Sequence, residues 1–147
     1  MKQLTLAALL ALGTATGATT AAFAEGKAHY VAIHVDQNDP HVMNMALNNA
    51  KNVDAYYDAQ GDTVTIELVA YGPGLQMYTD KSPVRDRISA MSLEMDNMSF
   101  AACGNTHRAM QAKAGKDVPL MDEATIVPSG VVRLIELQEQ GYAYIRP

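Results

Sequence analysis

The 147-residue chain has a single cysteine, Cys103, and no run of lysine or arginine. A lone thiol excludes an internal disulfide, and in an exported chain leaves either pairing between chains or a free thiol with a purpose. Eleven basic residues stand against 16 acidic ones, a net charge of −5. That balance, without a clustered basic face, excludes nucleic acid as a partner. Long apolar runs are equally scarce. The stretch 4–12 near the N-terminus is too short to span a bilayer, so no membrane insertion is expected. There is no serine-histidine-acid order, no pair of catalytic carboxylates, no internal repeat and no low-complexity segment. Gly72-Pro73-Gly74 lacks the spacing and the lysine of a nucleotide-binding loop. No cofactor is implied.

What is present begins with a secretory layout. Met1-Lys2 supplies a positive start, residues 4–12 an apolar stretch, and Ala22-Phe23-Ala24 a small-x-small cleavage site. These features predict a signal peptide over 1–24, cleavage after Ala24 and a periplasmic mature chain, 25–147. Loss of Lys2 leaves ten basic against 16 acidic residues, a net charge of about −6. A chain of this length forms one domain with a sizeable core.

The mature chain alternates strand and helix signals. β-Branched, apolar stretches at 28–35, 63–70, 98–102, 124–127 and 142–145 read as strands. Asp39 before Pro40 caps a helix whose apolar face is Val42, Ala46, Ala50, Val53 and Tyr57, closed by Gly61. Ser82-Pro83 opens a second helix with Val84, Ile88, Met91 and Met95 on one face. A third runs from about 106 to 114 and stops at Gly115; a fourth spans 131–140 and closes at Gly141. Residues 71–74 read as a glycine-proline turn. The alternation predicts an α/β fold, a three-layer α/β/α sandwich around a five-stranded, mostly parallel sheet.

In such folds the ligand site lies beyond the carboxyl ends of the strands. That rule gathers the loops 34–41, 71–75, 103–107 and 128–130. Cys103 ends a buried strand at the first turn of a helix, where free N–H groups and the helix dipole favour a thiolate. The plainer reading is a small buried hydrophobe at a strand end. His107, one helical turn on, is a candidate to stabilise the thiolate or relay a proton, or else a solvated helix residue. Asn105, Thr106, His34, Asp36, Tyr71, Gly72, Ser129 and Gly130 line the same edge. His34, Asp36 and His41 make an incomplete ligand set, so no metal site is assigned. Methionines beside histidines in an exported chain raise a copper(I) or small-ligand binding module as the alternative, although the spacing of Met91 and Met95 is that of core packing.

Three stretches together carry a resemblance: 69–75 (Val-Ala-Tyr-Gly-Pro-Gly-Leu), 102–106 (Ala-Cys-Gly-Asn-Thr) and 127–134 (Val-Pro-Ser-Gly-Val-Val-Arg-Leu), with Gln140-Gly141-Tyr142 behind them. Over residues 28–145 the chain resembles the DsrE/DsrF-like (YchN-like) sulfur-relay family. That resemblance implies homo-oligomers, trimers or hexamers. It also implies a sulfurtransferase-like persulfide carrier, with Cys103 where the family's sulfur-carrying cysteine is found. Sulfur donor and acceptor would be partner proteins or small thiols, and outside the cytoplasm these differ from those of the family's cytoplasmic relay members.

Overall fold

The computed structural model describes residues 26–147; the expected signal peptide and its cleavage site lie outside the described residues. Among the described residues five strands alternate with four α-helices: β1 (Ala28–Val35), α1 (Pro40–Asp58), β2 (Thr63–Ala70), α2 (Arg85–Glu94), β3 (Met98–Cys103), α3 (Gly104–Ala114), β4 (Ala124–Val127), α4 (Gly130–Glu139) and β5 (Ala143–Ile145). A 3-10 helix, Gly72–Tyr78, follows β2. The sheet order is β4-β3-β2-β1-β5, and every strand pair is parallel. The chain is thus an α/β sandwich of three layers, as its alternation implies. Among the described residues no helix is long and apolar enough to cross a membrane.

The order of the strands dictates which face each helix covers. β1 to β4 are laid side by side, so successive right-handed crossovers put α1, α2 and α3 on one face. The return from β4 to β5 crosses the whole sheet in the opposite direction and puts α4 on the other. Side chains alternate accordingly. Val31, Ile33, Val35, Ile66, Leu68, Ala70, Met98, Phe100 and Ala102 join the main core with Met43, Leu47, Ile88 and Met91 of the helices. On the reverse, Ala32, Val69 and Ala101 receive Leu134 and Leu137 of α4. Small residues in the sheet let that single helix come close. Burying two leucines contributes roughly 1.5–3 kcal/mol each, so α4 is lightly held and depends on polar contacts as well.

Helix starts follow the local chemistry. The Asp39 carboxylate accepts from the His41 N–H at 2.8 Å, with Pro40 at the first position. Gly115, at φ 64°, closes α3 in the left-handed region that a side chain disfavours. Two elements differ from expectation. Residues 72–78 form a 3-10 helix rather than a bare turn, because Leu75, Met77 and Tyr78 are drawn into the core. α2 starts at Arg85, not at Pro83; the Ser82 hydroxyl instead accepts from the Val84 N–H at 3.2 Å.

Candidate functional site

Cys103 is the last residue of β3 and the N-cap of α3. Its parity turns the side chain toward α4, and it is 4% exposed. The Thr106 N–H reaches Sγ at 3.5 Å. Burial pushes the thiol up; hydrogen bonds from the Thr106 side chain and from the backbone N–H groups of Gly130, Thr106 and Asn105 outweigh it, leaving the pKa below the ordinary thiol value. The starts of α3 and α4 therefore both adjoin Cys103, the Thr106 N–H on its sulfur and Gly130 against its Cβ. The Thr106 Oγ1 in turn accepts from the Gly72 N–H at 2.9 Å, which leaves its own proton free for the thiol.

Gly130 permits the convergence. A Cβ there would lie 3.1 Å from the Cys103 Cβ and 2.9 Å from that of Tyr71, closer than packed side chains come. Tyr71 stacks on His34 with ring centroids 4.5 Å apart. The Nδ1 of His34 shares a 2.7 Å hydrogen bond with the Tyr144 hydroxyl from β5, while its Nε2 is buried without a partner among the described residues. Arg146, just past β5, holds Asp36 through contacts of 2.7 and 3.0 Å. The carboxyl ends of β1, β2, β3 and β5 and the start of α4 thus form one continuous patch.

Of the residues expected at this edge, the fold brings Cys103, Thr106, Gly130, Tyr71 and Gly72 together, with His34 behind Tyr71 and Asp36 at the rim. Others are turned elsewhere. The His107 ring is not among the groups that bond to the thiol. Its Nε2 donates to the Val118 carbonyl at 2.7 Å, so its role is to tie the loop after α3 back onto that helix. Asn105 offers the thiol its backbone N–H, while its side-chain oxygen accepts from Arg108. Ser129 is the N-cap of α4, but its hydroxyl makes no capping bond. His41 is exposed, and among the described residues no three His, Cys, Asp or Glu side chains converge as metal ligands. Met43, Met77, Met91, Met95, Met98 and Met121 are core residues. Tyr144 and Arg146 were not anticipated, although the rule that gathers strand ends applies to β5 as well.

Burial lowers the pKa of His34 below its ordinary 6.5; the Asp36 charge opposes this and the Arg146 charge adds to it. The folded protein therefore favours neutral imidazole. Below pH 6.5 the unfolded chain takes up a proton that the native state resists, so the stabilisation is complete above that pH and is lost as pH falls through the native value. Urea unfolding between pH 7 and pH 5 is expected to show declining stability, in a window above the ordinary carboxylate range. His34→Phe is expected to flatten that decline. An identical slope in the variant would assign the effect to other groups.

No protein-family model and no curated protein matches the chain. Among solved structures it is similar to the protein of unknown function MTH1491 from Methanobacterium thermoautotrophicum. The two share 31% identity with a TM-score of 0.68, over 81% of this chain and 99% of that one.

Proposed function

Because this chain belongs to the same family as MTH1491, itself a protein of unknown function, we propose its function from the site: Cys103 accepts and passes on sulfane sulfur. The observation that supports this is the place of the thiol between the starts of α3 and α4, with the Thr106 N–H on its sulfur, which favours the thiolate. The resemblance of residues 69–75, 102–106 and 127–134 to the DsrE/DsrF-like family points the same way.

The thiolate attacks the outer sulfur of a donor persulfide. One S–S bond forms as another breaks, the donor leaves as a thiolate, and no net oxidation occurs. An acceptor thiolate then takes that sulfur and returns Cys103 to its starting state. A resolving cysteine would divert the loaded form into a disulfide; the chain contains no second cysteine. Because the thiol is 4% exposed, exchange requires residues 128–130 to part from Tyr71. Incubation of the mature protein with cysteine persulfide, followed by intact mass, is expected to show a gain of one sulfur in wild type and none in Cys103→Ser. No gain in wild type, or an equal gain in the variant, would end the carrier reading.

The same reading includes a homo-oligomer. Val131, Val132 and Ile135 of α4 are about half exposed, and Tyr30 and Tyr144 extend from the sheet on that side. A second copy of this face is the occupant proposed for it, since scattered apolar exposure is ordinary but a contiguous patch marks an interface. Light scattering at micromolar concentration is expected to give a trimer or hexamer; monomer alone would remove the claim.

A further inference from the structure

On the face of the molecule away from α4, the 3-10 helix, the last turn of α3 and the loop that follows line an open cavity of about 520 Å³. That size is typical of small-molecule sites. Its walls are held in place by contacts already formed. The Met121 N–H donates to the Tyr78 carbonyl at 2.8 Å, Thr79 and Leu120 form an antiparallel bridge, and His107 holds Val118 from α3. Met110, Val118 and Pro119 give it an apolar lining. Lys81, Lys113 and Lys116 stand around it, all exposed. Among the described residues none of the three forms a salt bridge, whereas Lys51, Arg133 and Arg146 each do. Of the two carboxylates at the rim, Asp80 and Asp117, the second accepts from the Gln111 amide at 2.6 Å. In a chain with five more negative than positive charges, this site is locally positive.

We infer that this cavity binds a small organic anion, its charged group between Lys81, Lys113 and Lys116 and its apolar body against Met110, Val118 and Pro119. A preformed wall lowers the ordering cost of binding, and three unpaired ammonium groups supply attraction that salt screens. The cavity adjoins a smaller one of about 290 Å³ that shares Gln76, Met110 and Lys113 and reaches Thr106, the residue that bonds to Cys103. The inference does not rest on sulfur chemistry, because Cys103 lines neither cavity.

The probe is 8-anilinonaphthalene-1-sulfonate, an aromatic body with one sulfonate, titrated into the mature protein and followed by amide NMR shifts. Shifts are expected at Gln76, Lys113, Lys116 and Val118, weakening as salt rises. Lys113→Gln/Lys116→Gln is expected to lose affinity about tenfold, the scale of one charge-assisted hydrogen bond. The uncharged analogue N-phenyl-1-naphthylamine is expected to bind about tenfold more weakly than the sulfonate. Shifts centred on Val131, Val132 and Ile135, unchanged affinity in the lysine variant, or no shifts at all would overturn the assignment. Lys51→Gln, a substitution of a surface lysine outside the cavity lining and paired with Glu94, is expected to leave binding unchanged.

Discussion

Gly74→Ala is expected to lower stability by roughly 3 kcal/mol or more, beyond the usual cost of overpacking a core. The cause is space rather than backbone angle, since Gly74 is not among the glycines of positive φ. A Cβ there would lie 2.6 Å from the Val35 carbonyl carbon and 2.8 Å from the Asp36 nitrogen, and closer still to the Val35 oxygen. Those are backbone atoms at the end of β1, where the chain is hydrogen-bonded into the sheet and has no rotamer by which to yield. Relief requires the 3-10 helix to lift away, and with it the buried Leu75, Met77 and Tyr78. Tyr78 is further tied through its hydroxyl, which donates to the Leu68 carbonyl at 2.6 Å. Against a total stability of about 5–15 kcal/mol for a domain of this kind, such a loss shifts the urea midpoint far down. Gly61→Ala, where a Cβ meets open space but φ is 75°, is the control, with an expected cost of about 1 kcal/mol. Equal midpoints for the two variants would show that the close approach at Gly74 is not there.

Arg133→Met is expected to destabilise by about 3 kcal/mol at neutral pH, the lower end for breaking a buried pair because the arginine is itself 28% exposed. Glu67 lies in the central strand β2 on the face beneath α4, and Arg133 grips it through two 2.7 Å hydrogen bonds. Methionine keeps the length and packing of the arginine stem while removing the guanidinium, which leaves a desolvated carboxylate alone. The loss is expected to appear as a urea midpoint well below that of wild type. The double variant Glu67→Leu/Arg133→Met is expected to recover most of it, because two apolar groups demand no pairing. A single variant as stable as wild type would mean that water reaches Glu67 and that the pair adds little to the hold on α4.

Strand and helix positions were legible because their signals are local. Alternation over 28–35 and 63–70, the Asp39-Pro40 start and the closing Gly115 depend on residues within a turn or two. Cys103 at a strand-to-helix junction belongs to the same class, and so does the layering of the fold, since alternating elements with right-handed crossovers leave few topologies open. Gly72-Pro73-Gly74 reads as a turn because it is punctuation locally, while the pull of Leu75, Met77 and Tyr78 into the core comes from contacts beyond that stretch.

The partners of the site residues belong to the tertiary structure. His107 is four residues from Cys103, a helical spacing that suggests contact with it, yet its ring bonds to Val118, a choice set by the path of the loop beyond Gly115. Glu67 meets Arg133 across 66 positions, and His34 meets Tyr144 across 110. The three lysines come to one cavity from the stretch after the 3-10 helix, from the end of α3 and from the loop beyond it. Sequence by itself determined the periodic elements, the single thiol and its place at a helix start, because short-range sterics and hydrogen bonding act within a few residues. Only the tertiary structure decided which N–H groups surround that thiol, that α4 seals it, and where the cations gather, because those contacts exist only once the return from β4 to β5 has carried α4 back across the sheet.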